Sequence, residues 1–184
     1  MQTYGAKQLA ASFRTVRGNT IKVVEELPED RFDFVAAPGV RSLGHLLAHI
    51  LFAPTLYLEI NREHKISTFK GYDFGAYAAR GAAFEKQMRT KAELVALLKA
   101  QGEEVASWME SLSDAFLAEG ITDHMEQNPK SRLETLMSIK EHEMHHRAQL
   151  MLMLRMLGGV PHLTRERQAR AAARAAAVPA AAKA

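Results

Sequence analysis

Apolar residues recur along the chain at three- and four-residue spacings in four stretches, each long enough to be a packed helix. In the first, about Gln8 to Glu26, the residues Leu9, Phe13, Val16, Ile21, Val24 and Leu27 form one amphipathic stripe, which stops at Pro28. Pro28 to Val40, with two prolines and a glycine, reads as a connection. Ser42 suits an N-cap for a second helix from Leu43 to about Arg62, within which Pro54 imposes a kink or a division. Thr90 and Glu93 form a capping box opening a third helix to about Leu112, with Leu94, Leu97, Leu98, Val105, Trp108, Met109 and Leu112 as its inward stripe. Ser131 and Glu134 form a second capping box for a fourth helix that runs to Leu157, where Gly158, Gly159 and Pro161 stop it.

The remaining segments lack a clean period. Residues 64–89 hold three glycines among aromatics and predict a long loop with short helical turns, the kind of segment that lines or covers a site. Asp114 to Lys130 is polar and irregular, and no strand-like alternation or internal repeat appears. The prediction is an all-α, up-down four-helix bundle: one domain over residues 1–163, then a low-complexity Ala/Arg-rich tail over 164–184, read as a frayed helix or disorder.

Composition narrows the chemistry. At 184 residues the chain supports one sizeable core. It has no cysteine, so a disulfide framework, a thiolate metal site and a thiol nucleophile are excluded, and a metal must be held by His, Asp and Glu. No run of about 20 apolar residues predicts a membrane span, and no apolar leader opens the chain, so a cytoplasmic protein is expected. The net charge of +3 is local. The tail carries Arg165, Arg167, Arg170, Arg174 and Lys183 against Glu166 alone, a net +4 that leaves the body at −1. A near-neutral body offers no footprint for nucleic acid.

The chemistry concentrates in Lys140–Leu150, where His142, His145 and His146 fall within five residues of the fourth helix. His142 and His146 lie about 40° apart around the helix and share a face with Ile139, Leu150 and Met153, whereas His145 turns about 60° to the other side of His142. Two buried imidazoles need partners, and one ion in the bundle core would satisfy both. His45 and His49, also four apart on the second helix, are both candidates for a third ligand. Isolated histidines such as His64, His124 and His162 read as solvated or hydrogen-bonded side chains. His142-Glu143-Met144-His145-His146 also fits H-E-x-x-H, in which Glu143 would be the general base of a zinc protease. The only acid downstream is Glu166, beyond the helix stop, and no strand precedes the motif, so that reading is disfavoured.

Ser42-Leu43-Gly44-His45-Leu46-Leu47-Ala48-His49-Ile50, together with His142-x-x-x-His146-Arg147-Ala148-Gln149-Leu150, resembles the DinB/YfiT-like proteins over roughly residues 8–163. Ala148 stands where the family often has glycine. The resemblance selects His49 over His45 and implies a His49/His142/His146 site for a divalent ion, zinc or nickel foremost and manganese or iron next. It further implies a small-molecule substrate, a low-molecular-weight thiol as co-substrate in S-transferase-like chemistry, and a homodimer. The alternative is a non-catalytic metal- or ligand-binding bundle of the stress response. His45, His145, Arg147 and Gln149 are then candidates for supporting the ligands or lining the pocket, Glu143 is a weak candidate base and more simply a surface residue, and Tyr72, Phe74 and Tyr77 are candidates for the pocket mouth.

Overall fold

The computed structural model describes residues 4–177. Its helices begin where the caps predict. Helix α1 spans Ala6–Glu26. In α2 (Leu43–Phe52) the Ser42 side chain accepts from the His45 N–H. Pro54 divides the second helix as expected: α3 (Pro54–Leu58) continues into a π-helical turn at Glu59–Glu63. Helix α4 covers Phe74–Glu85, α5 Lys91–Glu110 and α6 Asp114–Ala118. A two-residue antiparallel ladder, β1 (Gly120–Ile121) with β2 (Lys130–Ser131), leads into α7 (Arg132–Met156). Both capping boxes form, Thr90 with Glu93 and Ser131 with Glu134. Helix α8 runs from His162 to Ala177.

The fold is a four-helix bundle. Helix α1 packs along α5 and α7, and α2 packs against the same two, so α1 and α2 lie diagonally across the core although they are consecutive in sequence. The apolar core is in two parts. One contains Leu9, Phe13, Val105, Met109, Leu136 and Ile139; the other contains Val23, Val24, Leu27, Leu47, Leu98 and Leu150.

Between the two lies a polar layer. Arg17 and Glu143 are 3% and 1% exposed. The Arg17 Nε–H donates to both Glu143 oxygens at 3.0 Å, and Nη2 lies 2.9 Å from Oε2. Arg17 Nη1 donates to the Leu98 carbonyl (3.0 Å) and to Gln101 Oε1 (3.2 Å), and Gln101 Nε2 donates to the Leu51 carbonyl (2.7 Å). One network therefore joins α1, α7, α5 and α2. Gly102 makes room for it, since a Cβ there would stand 2.7 Å from Arg17 Cγ.

Three expectations change. Residues 74–85 are a regular helix: Asp73 caps it by accepting from the Ala76 N–H at 2.8 Å, and Gly81, which read as a loop signal, is a packing device. A Cβ on Gly81 would meet the Phe52 ring at 2.9 Å, so glycine lets α4 lie close on α2. Leu97, placed in the inward stripe, is exposed, while Leu94 and Leu98 fill the core. Leu43–Glu63 is long and apolar enough by composition to cross a bilayer, with mean hydropathy 1.3, but 56% of that window is buried within the bundle. The tail is helical through Ala177. Its first turn docks on α1 through Lys22–Glu166 and Arg165–Glu26 ion pairs, beyond which every described residue from Arg167 is exposed. Residues 178–184 lie outside the described part of the chain.

Removing one member of a buried ion pair leaves the other charge unpaired. Glu143→Ala should therefore lower unfolding free energy by about 3–5 kcal/mol, while Arg17→Met combined with Glu143→Leu should recover most of that loss; urea denaturation of the three proteins measures both. Truncation after residue 167 removes, among the described residues, only exposed helix and should leave the denaturation midpoint unchanged by the same assay.

Candidate metal centre

The Ser42 cap sets the phase of α2, and the Ser131–Glu134 box sets that of α7, so the histidines arrive in register rather than by chance. His49 sits in the last turn of α2 and faces His142 and His146 at mid-length of α7. The Nε2 atom of His142 lies 3.1 Å from that of His49 and 3.1 Å from that of His146. All three donor nitrogens fall within 4.8 Å of one another.

The far side of two rings is fixed. Glu85, at the C-terminal end of α4, accepts from His49 Nδ1–H at 2.9 Å, and because a carboxylate only accepts, the His49 Nε2 must present a lone pair. Gln149 Oε1 accepts from His146 Nδ1–H at 2.9 Å, which directs the His146 Nε2 lone pair inward as well. Arg41 Nε–H donates to the second Glu85 oxygen at 2.8 Å, giving a chain Arg41–Glu85–His49.

Burial sets the protonation of the site. It drives the His142 pKa from 6.5 down to about 4, with repulsion from His146 and His49 adding to the effect. Burial lowers His49 despite Glu85, and His146 despite Gln149. Burial of Glu85 opposes its ionisation, but hydrogen bonding and charge from Arg41, then from His49, outweigh it and hold the carboxyl below its usual range. The result is three neutral imidazoles with a carboxylate behind one of them.

This donor set fits a divalent ion. A single proton on the His142 Nε2 cannot serve two lone pairs at once, so the cluster repels itself unless a cation enters. Zinc held by imidazoles at about 2.0–2.1 Å in tetrahedral geometry places its nitrogens roughly 3.3 Å apart, close to the two 3.1 Å distances from His142. Glu85 and Gln149 occupy the outer positions from which carboxylates and amides orient metal-binding histidines.

The other predicted residues separate from the cluster. His45 is exposed and borders a smaller hollow of about 260 Å³ that Glu85 also touches. His145 is exposed and accepts from Gln149 Nε2 at 3.1 Å. Arg147 donates to the Val16 carbonyl (3.1 Å) and holds α7 to α1. Glu143 is neither a surface residue nor available as a base. It points into the core with both oxygens engaged by Arg17, because one step along the helix turns it about 100° from His142. Glu166, the downstream acid of the protease reading, pairs with Lys22. Tyr72, Phe74 and Tyr77 pack elsewhere: Tyr72 donates to Glu59 at 2.8 Å, Phe74 stacks edge-on against Tyr72, and the Tyr77 ring lies 4.9 Å from that of Phe52. His162 is buried, with Nε2 3.3 Å from Asn19 Oδ1. Glu85 and Arg41 are the residues that sequence reasoning missed. The Asp73 cap and the alanine-rich run after it were the available signal for α4; for Arg41, outside any helix, there was none.

A cleft of about 860 Å³ opens beside the cluster, bordered by His146, Gln149, Glu85 and Arg41.

Residues 12–150 match the DinB superfamily. The chain belongs to that superfamily. Among curated proteins it is similar to the uncharacterized protein YjoA of Bacillus subtilis, 24% identical over 154 residues that cover 83% of this chain and 91% of that protein. The crystal structure of this DinB-like YjoA superposes with a TM-score of 0.60 at 22% identity, over 83% of this chain and 94% of that one. YfiT of Bacillus subtilis, described as a probable metal-dependent hydrolase with an unusual four-helix bundle topology, superposes with a TM-score of 0.67 at 14% identity, covering 86% and 93%. At such identities these structures establish the shared bundle.

The depressed histidine pKa values carry a sign. Below pH 6.5 the unfolded chain takes up protons that the native His142, His49 and His146 refuse, so the metal-free protein should lose stability as pH falls from about 6.5 towards 4, and these groups should contribute no pH dependence above 6.5. Denaturation midpoints of metal-free protein across that range, with His142→Asn flattening the slope, check this.

Proposed function

We propose that this protein is a metal-dependent enzyme acting on small molecules, with His49, His142 and His146 as the ligands of one divalent ion and a low-molecular-weight thiol or water as the nucleophile. The observation that carries this reading is the convergence of three neutral imidazole nitrogens, those of His49 and His146 each 3.1 Å from that of His142 and all within 4.8 Å of one another, beside an open cleft. The description of YfiT as a probable metal-dependent hydrolase on the same bundle supports it.

A divalent ion in such a site supplies Lewis acidity and brings the pKa of a water or thiol that it holds towards neutrality. The protein's own residues make the other contributions. Glu85 and Gln149 fix the tautomers of His49 and His146, so neither ring must reorient to donate its lone pair. Burial keeps all three rings neutral at physiological pH. The candidate ligand group contains three residues among those described, which leaves a coordination position for a reactant, as catalytic sites do and closed structural sites do not. Glu143 takes no part in the chemistry, since Arg17 holds it in the core. Proton transfer falls to solvent in the cleft, since His49 commits its Nε2 lone pair to the ion and its Nδ1–H to Glu85.

Elemental analysis of protein purified without a histidine tag should find about one divalent ion per chain, with zinc or nickel foremost. His49→Ala and His142→Ala should each abolish it. Negligible metal, or metal that survives both substitutions, rejects the site. Loaded protein should then accelerate the reaction of a small thiol with an electrophilic aryl halide, or the hydrolysis of an activated ester, in a His142-dependent manner. Full occupancy without either turnover would reduce the protein to a non-catalytic metal-binding bundle.

A further inference from the structure

The cleft beside the histidines has two unlike walls. One is apolar and unusually exposed: Val40, Leu152 and Met156 are 52%, 56% and 52% exposed, and Met153 and Leu46 lie beneath them. The other is charged. Arg41 directs Nε–H at Glu85, and its side chain is 43% exposed. Among the described residues, neither Nη1 nor Nη2 of Arg41 makes a hydrogen bond, so the outer edge of the guanidinium faces the cleft with its donors unused.

We infer that the cleft binds a small amphipathic anion, its carboxylate or phosphate forked by the outer edge of Arg41 and its alkyl or aryl body laid along Val40, Leu152 and Met156. The inference rests on the metal reading above and deepens it by naming a substrate class. Three observations converge on it. The first is charge. Arg41 and Glu85 cancel, and neutral imidazoles leave the charge of a divalent ion uncompensated, so the floor of the cleft is positive. An anion is the ligand that such a floor favours. The second is the donor geometry: a guanidinium whose Nε is already anchored presents its other edge at a fixed angle, and that edge matches an oxyanion bidentately. The third is the wall. Two methionines and a leucine form an adaptable apolar surface, and the cleft volume of about 860 Å³ suits a drug-sized molecule. A purely polar anion would leave that wall wet, and a neutral hydrocarbon would leave the Arg41 edge unused.

Isothermal titration of zinc-loaded protein with butanoate, hexanoate, octanoate and neutral 1-octanol reads each part separately. Affinity should rise about two- to fourfold per added methylene. Octanoate should bind at least about tenfold more tightly than octanol, and Arg41→Met should weaken octanoate by about 10- to 100-fold while leaving octanol unchanged. Arg41→Lys, which keeps a charge beside Glu85 but loses the fork, should fall between. Leu152→Asn, at an exposed position where folding is not at stake, should flatten the chain-length dependence and spare butanoate. Metal-free protein should retain both the chain-length trend and the Arg41 effect, which separates the fork from direct ligation of the ion. Octanoate affinity that is indifferent to Arg41, or to chain length, overturns the inference. So does a dimer, seen by light scattering, that Leu152→Asn dissociates and octanoate does not disturb, because the apolar wall would then belong to a second copy of the chain. Failure of zinc to load would sink the metal reading instead, and the metal-free titration would still test Arg41 and the wall.

Discussion

The buried Arg17–Glu143 pair is the constraint on which the arrangement of the bundle turns. Two charges in a core are costly unless their donors and acceptors find partners, and Arg17 on α1 finds its partners on the other three bundle helices: Glu143 on α7, Leu98 and Gln101 on α5, and, through Gln101, the Leu51 carbonyl on α2. An apolar layer can pack at several rotations of a helix about its axis. A guanidinium fork against a carboxylate accepts only one. With Glu143 turned towards α1, His142 and His146 lie about 100° and 60° round the helix from it, on one common side, and that side faces α2. The ion pair therefore does for the rotation of α7 what the Ser131–Glu134 box does for its start.

The second determinant is the close approach of α4 to α2. Gly81 brings the two helices together at Phe52, and the last residue of α4, Glu85, then reaches both His49 and Arg41. A single carboxylate links the histidine cluster to the Arg41 guanidinium on the rim of the cleft. It fixes the tautomer of His49 and holds the Arg41 guanidinium by one edge. The polarity of the site follows: neutral imidazoles within, a compensated ion pair beside them, and an apolar wall opposite. Such a site favours a divalent ion, and with it an anionic reactant.

The H-E-x-x-H pattern illustrates how a short motif misleads when read without its neighbours. The two histidines belong to the cluster, yet the glutamate between them belongs to the core, 126 residues along the chain from its partner Arg17. Nothing within five residues distinguishes a base from half of a buried ion pair. The distinction lies in what the adjacent helix places opposite.

By itself the sequence determined the local periodicities and their origins. Four amphipathic stripes, the caps at Ser42, Thr90 and Ser131, the break at Pro54, and the inward direction of His142 and His146 with His145 turned aside all follow from the 3.6-residue repeat and from hydrogen bonds spanning three residues. The resemblance to the DinB proteins singled out His49, which spacing alone left level with His45. Tertiary structure decided the rest: that Glu143 is buried, that Leu97 is not, that the glycine-rich segment before α5 is a helix delivering Glu85, and that Arg41 stands at the edge of the cleft. Each of those outcomes depends on which surfaces meet across the bundle. A glycine that weakens a helix in isolation strengthens a fold where another side chain needs its space, and a charge that belongs in water in isolation belongs in a core where a fork awaits it. Such pairings carry no local signature, because their energy exists only once the distant partner is in place.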